Sequence, residues 1–290
     1  MLLEVFMASH NLVNIKIDDL DIMGYSVAGE ETVIGMPQLD VCFDIGKAPD
    51  QVIAINNVLL THGHMDHAAG LAYYLSHRNF CDQVPGKVFL PEVLTGPLEQ
   101  IIGAWGIMDG TRIPAEIVGV KAGDEYQIKQ NLFVKVFPTK HSRGSVGYTV
   151  VERRKKLKAE YTELTGRQIV ELKKQGVTID YQIEMPIVTY FGDTQYVDFS
   201  QLDYVAKSKI LITECTFYLD EHIERAKAGR HMHVNQLAEL LSRMENEHII
   251  VMHTTQRIGI GEAKKALKET LPADIYAKTR LLMDRRWKTS

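Results

Sequence analysis

An α/β sandwich is the fold class that this sequence predicts, and three features predict it. Short runs rich in β-branched and aromatic residues alternate along the chain with segments of helical composition. The 290 residues are 45% hydrophobic, enough to fill a core between layers. No repeat period, low-complexity tract or Pro/Ser-rich linker interrupts them, so residues 1–290 read as one domain.

Taken in order, the strand-like runs are DVCFDIG (40–46), NNVLLT (56–61), KVFLP (87–91), LFVKVFPT (132–139), VGYTVVE (146–152), PIVTYFGD (186–193), KILITE (209–214) and HIIVMH (248–253). Helical composition or spacing marks AAGLAYYLSHRNF (68–80), EVLTGPLEQIIGAW (92–105), HVNQLAELLSRME (233–245) and GEAKKALKETL (261–271). One stretch stands apart. From Arg153 to Gln175 eight basic residues face three acidic ones, a local excess of five in a chain of net charge −4. It reads as a protruding basic helical insertion within 152–185, or else as a solvated surface helix.

The overall charge excludes a generally basic nucleic-acid binder, so any polyanion has to be met locally. Cys42, Cys81 and Cys215 are odd in number and lack CxxC spacing, which indicates neither a disulfide framework nor a thiolate zinc site and points to a reducing cytoplasm. No basic run followed by a long apolar stretch opens the chain, and no 18 apolar residues run unbroken. The expectation is a protein neither secreted nor membrane-spanning.

Chemistry concentrates in THGHMDH (61–67). The strand is expected to end at Thr61 and the helix to begin near Ala68, leaving His62, His64, Asp66 and His67 in the connecting turn. Loop ligands on a rigid frame are a common way to hold a metal, and imidazole with carboxylate suits Zn²⁺ and similar ions. His62 and His64, two apart, can point the same way, whereas Asp66 and His67 turn elsewhere and can serve a second ion. Further ligands stand just past other apolar strands: His141, Asp193 and His253. Asp44 in FDIG reads as a residue that orients a ligand or shapes a turn.

THGHMDH, His141, FGDT and His253, in that order, resemble the metallo-β-lactamase-fold hydrolases over nearly the whole chain. The resemblance implies a four-layer αββα sandwich with a dinuclear zinc site at one edge. It implies that His62, His64 and His141 hold one metal, that Asp66, His67 and His253 hold the other, and that Asp193 bridges. Mn²⁺ or Fe²⁺ can use the same ligands. Within that family, TECTF (213–217), GRHMHVNQLAELL (229–241), HTTQR (253–257) and HSRGSVGYTVVE (141–152) are similar to segments of ribonuclease Z, the tRNA 3′-processing endonuclease. The amino-terminal Pro-x-Lys-x-Arg-Asn loop of that branch is not in the sequence, and His233 stands where its threonine is usual.

The resemblance implies removal of the 3′ trailer of precursor tRNA by a dizinc-activated hydroxide, with Asp66 accepting a proton and Glu214 with His231 protonating the leaving ribose oxygen. Arg153, Arg154, Lys155 and Lys156 in the insertion would hold RNA by its phosphates, and Arg257 would contact phosphate or serve as a structural ion-pair partner. A homodimer, with one subunit's arm gripping the RNA cut by the other, is implied in the same way. Two other functions fit the ligand pattern: a hydrolase of a small substrate such as a cyclic nucleotide, lactone, thioester or sulfate ester, and a metal- and RNA-binding protein without turnover.

Overall fold

The computed structural model describes residues 12–284. Among them are two seven-stranded sheets, one from each half of the sequence. The first sets β1 (Val13–Ile17), β2 (Leu20–Val27), β3 (Glu31–Met36), β4 (Val41–Phe43), β5 (Asn57–Leu59), β6 (Lys87–Pro91) and β7 (Glu116–Val120) side by side in chain order. β1 to β4 pair antiparallel and β4 to β7 parallel. Parallel neighbours need crossovers. Among these, the β5–β6 connection carries α1 (Met65–Ala68) and α2 (Leu71–Phe80), and the β6–β7 connection carries α3 (Thr95–Asp109).

The second sheet repeats the plan. β8 (Glu125–Lys129), β9 (Leu132–Pro138), β10 (Val146–Leu157) and β11 (Asp180–Tyr190) pair antiparallel, and β12 (Ile210–Glu214), β13 (His248–Met252) and β14 (Thr279–Leu281) continue from β11 in parallel. α4 (Gly166–Lys174) lies in the β10–β11 connection. α5 (Asp203–Ala206) precedes β12, α6 (Ile223–Gly229) and α7 (Val234–Leu241) follow it, and α8 (Ile260–Thr270) and α9 (Ala273–Ala277) follow β13.

Side chains alternate across a strand, and the core sorts accordingly. Phe43, Leu59, Phe89, Tyr148, Tyr190, Ile212 and Ile250 meet between the sheets. Their neighbours Cys42, Val58 and Val88 pack outward with Leu71, Leu75 and Leu98 of α2 and α3. Leu211 and Val251 pack outward with Leu237, Leu240 and Leu267 of α7 and α8. The layers are helix, sheet, sheet, helix: an αββα sandwich.

The insertion departs from its sequence reading. It is a β-ribbon made of the outer halves of β10 and β11, with Arg153 opposite Glu184 and Lys156 opposite Tyr181, and it carries only the nine-residue α4 as its α-helix. Cross-strand pairing wins over helical composition at 153–157 because the ribbon extends a strand already built. The turn reading shifts as well: Asp66 and His67 lie in the first turn of α1, which begins at Met65.

Arg78, in α2, pins the segments that lead into β5 and β6. It is fully buried, and its guanidinium donates to Ile53 O (2.6 Å), Asn56 Oδ1 (2.6 Å) and Val84 O (2.8 Å). Arg78→Met leaves those acceptors unpaired and should destabilise the fold by about 3 kcal/mol. Urea denaturation checks this, and an unchanged midpoint would refute the clamp.

Candidate metal centre

The ends of the strands bring the candidate ligands together. His62 and His64 follow β5, His141 follows β9, Asp193 follows β11 and His253 follows β13. Asp66 and His67 enter from α1, so seven side chains from distant segments converge at one sheet edge. His62, His64, His141 and Asp193 form one group and Asp66, His67 and His253 another, with the candidate ligand atoms in each group within 4.8 Å of one another.

Asp193 lies between them. Its Oδ2 is 3.3 Å from both His67 Nε2 and His253 Nε2, and 3.7 Å from both His62 Nε2 and His141 Nε2. Across each group His64 Nδ1 and His141 Nε2 are 3.1 Å apart, His67 Nε2 and His253 Nε2 3.4 Å, and Asp66 Oδ2 and His253 Nε2 3.5 Å. Atoms about 2.0–2.2 Å from one tetrahedral ion stand roughly 3.3–3.6 Å apart, so the spacings are of the order that divalent-metal coordination requires. His62 Nε2 and Asp193 Oδ1, both buried, have no protein hydrogen-bond partner. A buried polar atom without a partner is costly unless a cation completes it.

The far nitrogen of each inner imidazole is occupied, which fixes the tautomer. His67 Nδ1 donates to Asp44 Oδ2 at 2.7 Å, and His141 Nδ1 to the Arg230 carbonyl at 3.2 Å. The Thr61 hydroxyl donates to Asp44 (3.0 Å) and lies 2.9 Å from His62 Nδ1, whose proton it accepts. The Thr216 hydroxyl donates to Glu214 Oε2 (2.6 Å) and accepts from His253 Nδ1 at 2.9 Å. All four Nε2 lone pairs are thereby free to face the centre. Asp66 is positioned by the Gly29 N–H, which donates to its Oδ2 at 2.8 Å.

Asp44 is fully buried and takes a left-handed φ of 51°, which aspartate tolerates better than most residues. Besides Thr61 and His67 it accepts from the Tyr190 hydroxyl at 2.7 Å. Gly192, at φ 62°, has no room for a Cβ, which would fall 2.6 Å from the Thr61 side chain. Burial disfavours the Asp193 carboxylate, but His253 and His67 outweigh it and hold its pKa well below the usual range.

At the rim, His231 Nδ1 donates to Glu214 Oε1 at 3.0 Å and lies 4.0 Å from Asp193 Oδ2. Glu214, fully buried, also accepts from Thr194 N (2.7 Å) and Met232 N (3.2 Å). Burial works against a charged His231 ring, yet Glu214 outweighs it and raises the pKa to about 9. The pair can hold and release a proton beside the ligand cluster.

Other candidates are placed differently. Arg153 is bound to Glu125 and Glu184, its guanidinium 4.0 Å from the centre of the Phe133 ring, and Arg154 pairs with Glu152 at 2.7 Å. Lys155, Lys156 and Arg257 are exposed. His233 caps α7: its Nδ1 accepts from Asn235 N while Gln236 returns a bond to its backbone N–H, a capping box with histidine in the usual Ser/Thr place. Sequence reading passes over Thr61, Thr216, Tyr190 and Gly29. A threonine just inside or beyond an apolar strand end was the available signal for the first two; Tyr190 reads as ordinary core. All three cysteines are free, and burial pushes the Cys42 and Cys215 thiols well up, so neither offers a ready thiolate.

Asp44→Asn keeps the left-handed backbone but offers one acceptor oxygen for several donors. Metal affinity should fall about 10–100-fold with the fold retained; competition with a chromophoric chelator measures it. Unchanged affinity would remove Asp44 from the account.

Comparison with known proteins agrees with this architecture. A family model described as a beta-lactamase superfamily domain matches residues 39–254. The chain is 33% identical over 271 residues to tRNase Z TRZ1 of Arabidopsis thaliana, covering 91% of this chain and 96% of that one. It is 31% identical over 264 residues to tRNase Z TRZ2, chloroplastic, of the same plant, covering 90% and 74%. Among solved structures, the metallo-beta-lactamase fold protein YhfI from Bacillus subtilis matches with a TM-score of 0.62 at 12% identity, covering 88% of this chain and 92% of that one, a likeness of fold. With a matched domain across most of its length and two such relatives, the chain belongs to the tRNase Z (ribonuclease Z) family of the beta-lactamase superfamily.

Proposed function

We propose that this protein is a metal-dependent phosphodiesterase that removes the 3′ trailer of precursor tRNA, leaving a 3′-hydroxyl and a 5′-phosphate. The observation that carries the reading is Asp193 Oδ2 set between two ligand groups, with the Glu214–His231 pair at their edge. The tRNase Z names of the relatives support RNA as the substrate class.

In this reading His62, His64 and His141 would hold one ion and Asp66, His67 and His253 the other, with Asp193 available to both ligand groups. Zinc ions bound there, or manganese or iron with the same donors, would supply a nucleophile at neutral pH and neutralise charge on the phosphate. The residues do the rest. Asp66, fixed by Gly29 through Oδ2, would accept a proton as attack proceeds. His231, oriented by Glu214, gives one to the departing ribose oxygen. Asp44, Thr61 and Thr216 hold the imidazoles so that no reorganisation is needed during the reaction.

The exposed cations of the ribbon, Lys155, Lys156, Arg167, Lys173 and Lys174, are the proposed RNA clamp, while Arg153 serves the ribbon's own structure. Arg257 makes no ion pair among the described residues and is the proposed phosphate contact near His253. A homodimer and a cytoplasmic setting complete the proposal. Three free cysteines support a reducing compartment, and no helix among the described residues is long and apolar enough to cross a membrane.

With zinc present, the protein should cut a precursor tRNA carrying a 3′ trailer, and His231→Ala should lower kcat by 10²–10⁴-fold while the metal content stays the same. Hydrolysis of bis(p-nitrophenyl) phosphate without trailer removal would favour the small-substrate reading; bound RNA with no turnover would leave a binding protein. Alanine at Lys155, Lys156, Arg167, Lys173 and Lys174 should weaken RNA binding and flatten its salt dependence while sparing the small diester. Equal loss on both substrates would rule out a clamp.

A further inference from the structure

Arg230 occupies a position that favours glycine. It follows α6 at φ 56°, with its N–H bonded back to Ala226 and Lys227 carbonyls, the left-handed close where a side chain is a steric burden. An arginine kept in that conformation beside a reaction centre calls for a use of its side chain.

Its surroundings supply one. Arg230 is tied to a candidate ligand at both ends: its carbonyl accepts from His141 Nδ1 at 3.2 Å, and its Nη1 donates to the His141 carbonyl at 2.9 Å. The next residue is His231, the proposed acid. Apart from that bond to His141, the Arg230 guanidinium has no partner among the described residues, and a guanidinium has five N–H donors. Arg143, on the same loop as His141, is exposed and likewise faces no carboxylate among the described residues. Two arginines therefore flank one candidate ligand in a cluster otherwise rich in buried carboxylates: Asp44, Asp193 and Glu214.

We propose that Arg230 is a substrate-contacting residue whose free guanidinium edge binds the nonbridging oxygens of the phosphate held beside the metal centre, with Arg143 extending the cationic rim. A planar fork matches two phosphate oxygens, and its anchoring to His141 spends little entropy on binding. The contact would hold the phosphate close to His141 and to the proposed acid, His231. This inference rests on the phosphodiesterase reading above.

The test uses full-length, zinc-loaded protein with Arg230→Gly and Arg230→Lys. Glycine removes the guanidinium while suiting the backbone; lysine retains the charge. Metal content, kcat and KM on precursor tRNA, and the Ki of inorganic phosphate against bis(p-nitrophenyl) phosphate hydrolysis are measured. The glycine variant should keep its metal, with the phosphate Ki and the KM for RNA raised about 10–100-fold and partial recovery with lysine. Unchanged Ki and KM in a metal-replete glycine variant would overturn the contact, as would an activity loss that only tracks lost metal. If the wild type cuts no trailer, the RNA reading fails by itself, and calorimetric titration of inorganic phosphate onto the wild type and the glycine variant still decides the role of Arg230: equal affinity would overturn it.

Discussion

A single buried carboxylate sets the geometry from which the rest follows. Asp44 has no contact with solvent, and a charge in that position is tolerated only if its oxygens are fully bonded. The donors are the Thr61 backbone and hydroxyl, the His67 ring and the Tyr190 hydroxyl. These come from the end of β5, from α1 and from the end of β11. The bend carrying four candidate ligands in the first half and the strand leading to Asp193 in the second are therefore indexed to the same two oxygen atoms.

Glu214 performs the matching task in the second half. Asp44 receives the Thr61 hydroxyl, which accepts from His62, and it receives His67 directly. Glu214 receives the Thr216 hydroxyl, which accepts from His253, and it receives His231 directly. Each sheet thus contributes one buried carboxylate, one threonine relay and two oriented imidazoles. The halves differ in what the second imidazole does: His67 points Nε2 at Asp193, whereas His231 turns Nδ1 to Glu214 and stands at the rim, partly exposed. One plan of hydrogen bonds yields a candidate ligand on one side and the proposed proton carrier on the other.

Charge is divided in space. Carboxylates gather in the interior of the site, where divalent cations can balance them, and unpaired basic groups lie outside it, on the ribbon and beside His141. That division is what the proposed RNA clamp would use, since a chain of net negative charge has no generally basic surface. Arg153 shows how the same residue type serves structure when its neighbours are Glu125 and Glu184.

Much was legible in the sequence because it is encoded locally. Strands such as 87–91 and 248–252 are apolar on both faces and stand out from their surroundings, whereas β8, with alternate residues exposed, and the short β14 do not. THGHMDH declares a ligand cluster by itself, since four donors sit within one bend, and Asp44 in FDIG reads as a supporting residue because carboxylates commonly hold a ligating histidine. The helical reading holds for 166–174 but not for 153–157, because composition carries no information about pairing with a strand that is distant in sequence. Arg230 and His141 lie 89 residues apart, and no periodicity links them. The chain alone determined which residues can bind a metal and which segments build the layers. Tertiary structure decided which nitrogen of each imidazole is free, which arginines are already in ion pairs and which are not, because those outcomes depend on long-range hydrogen bonds made only when the two sheets close on each other.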